Sequence, residues 1–122
     1  MKKIWVFAEQ INCTLDKVVL ELLTKAKELA AELSGETEIS AVLLGCNVRN
    51  SCKTLADFGA DKVYLVEADE LALYNPMIYA PIISKLVEEE DPEIFLFGAT
   101  AIGSELGKVK SRRSSSLCRH EN

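Results

Sequence analysis

The side chains able to do covalent chemistry are few and scattered. Cys13, Cys46, Cys52 and Cys118 include no Cys-x-x-Cys pair, and the single histidine, His120, falls within the last three residues. A zinc site or a disulfide framework shows itself by close, repeated spacing. These cysteines therefore read as ordinary reduced thiols of a reducing compartment, with no metal site. A catalytic triad or a His-activated thiol is equally hard to assemble, so a hydrolase or transferase has the least support. What remains is a backbone feature. Ile94 to Gly103 (IFLFGATAIG) reads as strand, tight turn and helix start, and the N–H groups of a helix amino end can hold an anion. The candidate site residues are Gly98, Thr100, Gly103 and Ser104 on this turn, faced by Glu9 and Gln10 from the loop after the first strand. The turn lacks both the Gly-x-Gly-x-x-Gly pattern and a Walker-type lysine. It also reads as a plain strand-to-helix connection, and Glu9 and Gln10 as solvated loop residues.

The elements that must position these residues alternate. Lys2 to Ala8 is a dense β-branched and aromatic run, predicting a buried first strand with Trp5 in the core. Apolar residues from Leu15 to Leu33 recur at i, i+3, i+4 and i+7, predicting an amphipathic helix capped by Thr14, stopped near Gly35 and carrying a Glu21–Lys25 pair. Glu38 to Leu44 and Lys62 to Val66 predict strands, with a weaker helix over Asn47 to Phe58 between them. Asn75 followed by Pro76 looks like a cap with proline at the first helical position. Pro81 leaves two readings, a helix starting near Ala80 or one starting at Pro76 and kinking. Ile94 to Phe97 is the fourth strand.

This alternation predicts an α/β fold with a doubly wound, mostly parallel sheet of Rossmann-like type, helices on both faces. The first and fourth strands, the most apolar, belong side by side at the centre. Their junction is then the topological switch point, with Glu9, Gln10 and Asn12 beside Gly98, Thr100 and Gly103.

Composition narrows the class. The 122 residues are 48% hydrophobic and 27% charged, suited to one domain with one core. The early apolar run Ile4 to Ala8 is too short for a membrane span or a signal core, which predicts a cytoplasmic, non-membrane protein. Residues 1–107 hold nine Lys/Arg against eighteen Asp/Glu, net −9, whereas residues 108–122 hold five against one, net +4. An acidic body argues against nucleic-acid binding.

VFAEQ in the first strand and loop, KVVLELLTKAKELA in the first helix, GADKVYLV at the third strand and PEIFLFGATAIG together resemble the N-terminal domain of the electron transfer flavoprotein alpha subunit. The resemblance runs from about Lys3 to Gly107. It implies a non-enzymatic electron carrier, heterodimeric with a beta subunit. Its FAD shuttles electrons from flavin dehydrogenases, such as acyl-CoA dehydrogenases, to a downstream acceptor. It also implies that FAD sits mainly on a C-terminal domain, and that the nucleotide site of the N-terminal domain is usually unused. The family pattern continues past Gly107 into that flavin domain, and this chain does not follow it. FAD is therefore not expected to bind this chain alone. A stand-alone nucleotide-binding or interaction module of the same fold is the alternative.

Residues 1–107 are thus expected to form the domain. The basic Ser/Arg-rich residues 108–122 are expected to be disordered or foreign to the fold, as a frameshift or truncated gene would make them. A sheet ending at its fourth strand is expected to leave an apolar edge open to self-association.

Overall fold

The computed structural model describes residues 2–106 and the backbone of 117–121. Strand β1 (Lys2–Phe7) is followed by a small antiparallel hairpin, β2 (Gln10–Ile11) and β3 (Thr14–Leu15), and then helix α1 (Lys17–Glu32). Strand β4 (Thr37–Gly45), helix α2 (Ser51–Asp57), strand β5 (Lys62–Glu67) and a single 3-10 turn (Asp69–Leu71) come next. Helix α3 (Pro76–Glu90), strand β6 (Ile94–Gly98), helix α4 (Ala101–Leu106) and strand β7 (Leu117–Glu121) complete the order.

The main sheet runs β5-β4-β1-β6-β7, with every pairing parallel. Ile4 lies opposite Ile39 on one side and Ile94 on the other, so β1 is the central strand, with β6 beside it as expected. Crossovers of one hand put successive helices on one face while the chain moves in one direction, and on the other face once it reverses. That is the observed arrangement. Ile4, Val6, Ala41, Leu43 and Leu96 pack with Val19, Leu22, Leu23 and Ala26 of α1 and Leu55 of α2. Trp5, Phe7, Val42, Leu44, Phe95 and Phe97 pack with Tyr79, Ile83 and Val87 of α3. Trp5 is fully buried, its ring 4.9 Å from Tyr64 and 5.4 Å from Phe95.

Several local expectations change. Leu15 belongs to the hairpin, and the cap of α1 is Asp16, whose carboxylate accepts from Val18 N at 2.9 Å, so Thr14 lies outside the helix. Lys25 pairs with Glu28 at 3.8 Å where Glu21 was expected. Helix α2 is a shorter element than the Asn47–Phe58 span, because Asn47 takes a positive φ of 57°. Helix α3 starts at Pro76, with Asn75 accepting from Met77 N, and runs through Pro81. Pro81 is tolerated on the exposed face, where the carbonyl of Met77 that it leaves without a helical donor belongs to an 82% exposed residue.

The edge of β6 is not open. Strand β7 pairs along its whole length, from Ile94 opposite Leu117 to Gly98 opposite Glu121. The expectation of an uncovered fourth-strand edge is therefore corrected: residues 117–121 supply the covering strand. Residues 107–116 and 122 of that segment lie outside the described residues.

Candidate functional site

Apolar residues hold β1 at the sheet centre until Ala8, whose N–H still bonds Val42 O at 2.9 Å. The next residue is Glu9, a carboxylate only 4% exposed. Its backbone carbonyl accepts from Asp16 N at 2.9 Å, which ties the end of β1 to the cap of α1. Its side chain crosses to the β6–α4 turn, where Thr100 Oγ1 donates to Glu9 Oε1 at 2.6 Å. The same hydroxyl accepts from Gly103 N at 2.9 Å, so Thr100 caps α4 as it anchors the carboxylate. Burial pushes the Glu9 carboxyl above its ordinary value, the Thr100 hydrogen bond pulls it back, and the Asp16 carboxylate pushes it up again.

Gly103 is dictated by this turn. A Cβ there would strike the carbonyl oxygen of Gly98, so only glycine lets α4 start so close to the end of β6. Gly98 is pressed from the other side, where an added Cβ would lie 2.8 Å from Val18 Cγ1.

The structure thus brings Glu9, Thr100, Gly98 and Gly103 together and separates Gln10 from them. Gln10 turns toward β4, with Nε2 donating to Leu44 O at 3.1 Å and Oε1 accepting from Cys13 N at 3.0 Å. The side chain of Ser104 lies outside the described residues. Spacing alone gave no signal for Cys13, which reaches Cys46 O at 3.2 Å across 33 positions of sequence.

A dinucleotide or flavin diphosphate does not fit this crevice as built. Its cradle would have to be donors at the start of α4, yet the Gly103 N–H is spent on Thr100 and the Thr100 hydroxyl is in turn spent on the Glu9 carboxyl opposite. A carboxyl there repels phosphate oxygens whenever it is ionised. The residues do form a latch between the end of β1 and the start of α4. Among the described residues no group of three or more His, Cys, Asp or Glu side chains is arranged to hold a metal ion, and no helix is long and apolar enough to cross a membrane.

A parallel sheet of order β5-β4-β1-β6-β7, with helices on both faces and a chain reversal between β1 and β6, defines a Rossmann-like, doubly wound α/β domain. The family model described as the electron transfer flavoprotein domain matches residues 4–112, and the chain belongs to that family. The electron transfer flavoprotein subunit alpha of Clostridium acetobutylicum is 46% identical over 117 residues, covering 95% of this chain and 34% of its own length. That of Thermoanaerobacterium thermosaccharolyticum is 44% identical, with 95% and 35% covered. The acryloyl-CoA reductase electron transfer subunit beta of Anaerotignum propionicum is 39% identical over 106 residues, with 87% and 28% covered. The chain spans about a third of the length of these relatives and matches their N-terminal part.

Proposed function

We propose that this chain serves as the N-terminal docking domain of an electron transfer flavoprotein alpha subunit, a carrier of electrons with no reaction of its own. In this reading a beta subunit is the partner. FAD belongs to alpha-subunit sequence beyond the part matched here, and flavin dehydrogenases of the acyl-CoA type deliver electrons through the assembled complex. The name of the Anaerotignum relative, an electron transfer subunit of an acryloyl-CoA reductase, is in keeping with a thioester-linked donor or acceptor. The reading also places the protein in the cytoplasm.

The observation that carries it is the latch at the switch point. Where a nucleotide-binding relative of this fold would hold phosphate, Glu9 and Thr100 satisfy each other at 2.6 Å. That leaves the surfaces of the domain, not its crevice, to do the work. The test is to purify the chain alone and together with a cognate beta subunit, recording visible absorbance and size-exclusion mass. A colourless chain that co-elutes with the beta subunit is the expected result. Yellow flavin on the chain alone, or saturable binding of AMP to the folded chain, would replace docking with a nucleotide-binding module. Failure to co-elute while the chain is folded by circular dichroism would remove the beta subunit as partner.

A further inference from the structure

Cys13 sits at the tip of the β2–β3 hairpin and is exposed, while Cys46 follows Gly45 at the end of β4 and is half-buried. Two independent contacts hold these loops against each other. Gln10 bridges them, donating to Leu44 O at 3.1 Å and accepting from Cys13 N at 3.0 Å. Gly45 makes room for the bridge, because a Cβ on it would lie 2.8 Å from Gln10 Nε2. The Cys13 thiol itself donates to Cys46 O at 3.2 Å. A carbonyl oxygen lies roughly 2.4 Å from its own Cα by standard backbone dimensions, so the Cys13 sulfur is within about 6 Å of Cys46 Cα. A disulfide joins Cα atoms about 4.4–6.8 Å apart, and closure here requires the Cys46 side chain to turn from Asp69 toward the Cys13 sulfur.

We propose that Cys13 and Cys46 are a modification site, an oxidation-responsive pair that closes into a disulfide between the hairpin tip and the end of β4. The oxidant is a small-molecule disulfide of the glutathione type. The Cys13 thiolate attacks one glutathione sulfur, forming a mixed disulfide and releasing one glutathione thiolate. Cys46 then gives its proton to solvent and attacks the Cys13 sulfur, releasing the second glutathione. Two protein thiols are oxidised by two electrons, and one glutathione disulfide is reduced to two thiols. A groove lined by Thr14, Leu20, Ser51 and Thr54 opens beside the exposed Cys13.

The order of attack follows from the surroundings. Partial burial raises the Cys46 thiol pKa, and the Asp69 carboxylate, whose Oδ1 is 3.8 Å from Cys46 Sγ, raises it further. Cys13 and Glu67 push in the same direction. Cys46 is thus the slower, resolving thiol and exposed Cys13 the entry point. The closed form would clamp the hairpin that leads into α1, and glutathione would reopen it.

The test treats the full 122-residue chain with defined ratios of oxidised to reduced glutathione, blocks remaining thiols by alkylation and maps the peptides by mass spectrometry. The native chain is expected to lose two of its four thiols to an internal Cys13–Cys46 bond. Cys46→Ser is expected to stop at glutathionylated Cys13, and Asp69→Asn to speed closure. A variant with Cys52→Ser and Cys118→Ser should still close, which separates the pair from disulfide shuffling. Internal bonds from Cys13 to Cys52 or Cys118 in the native chain would overturn the proposal. So would mixed disulfides that never resolve while circular dichroism shows a folded chain.

Discussion

At the scale of single residues, the informative atom is Glu9 Oε1. A carboxylate withdrawn from water and given one hydroxyl donor binds its proton more tightly in the folded chain than in the unfolded one. The sign of the linkage follows. Between the ordinary value of 4.5 and the raised folded value, the native state holds more protons on Glu9 than the unfolded state, so its contribution to stability falls as pH rises. Glu9→Gln retains an acceptor for Thr100 and removes the titration. Denaturant midpoints measured from pH 4 to 8 should therefore lose this downward component in the variant, and an unchanged slope would mean that Glu9 is solvated. Glu90 acts in the opposite sense. The hydrogen bond from Lys3 at 3.0 Å holds its carboxyl below the ordinary value, so the stability it adds is present above pH 4.5 and disappears as pH falls through the lowered folded value. The pair is about one-third exposed, so solvent screening keeps this contribution within about 1 kcal/mol.

At the scale of elements, two substitutions separate backbone constraint from packing. Gly103→Ala pushes a methyl into the Gly98 carbonyl, which is backbone and cannot rotate away. It should destabilise the chain by about 1–3 kcal/mol, as overpacking does elsewhere, seen as a lower denaturant midpoint. Pro81→Ala restores a helical N–H for the Met77 carbonyl on an exposed face and should stabilise the chain by about 1–2 kcal/mol once the freer unfolded chain is counted, read as a higher thermal midpoint. How much of this was legible in the sequence depends on the length of the signal. Ile94 to Phe97 and Ile4 to Phe7 are uninterrupted apolar runs, and that apolar character is what set them side by side at the sheet centre. The hairpin at Gln10 to Leu15 was not legible, because two-residue strands are too short to show alternation. The cap of α1 was misplaced because Thr14 and Asp16 are both good cap residues, and only the Asp16–Val18 bond decides between them. Within the candidate site, Glu9 and Thr100 could be paired through the switch-point rule. No such rule applies to Gln10, whose partners on β4 and in its own hairpin depend on how the hairpin folds back.

At the scale of the whole molecule, β7 is the element the sequence concealed, since a serine-rich basic stretch gives no strand period before Leu117. Its parallel pairing with β6 covers one edge of the sheet, so removing residues 107–122 should expose that edge. The truncated chain is expected to self-associate at concentrations where the full chain is monomeric, read by light scattering after size exclusion. Equal masses for the two would show that β7 contributes nothing to solubility. The placement of β1 between β4 and β6 also bears on biosynthesis. A ribosome releases Ile4 long before it releases Ile94, its partner across 90 positions of chain. Until β6 emerges, one side of the most apolar strand has no neighbour, and closure of the sheet waits for nearly the whole domain to be made. Such a chain gains most of its cooperativity in one late step and is most vulnerable to misassembly while still tethered to the machine that makes it.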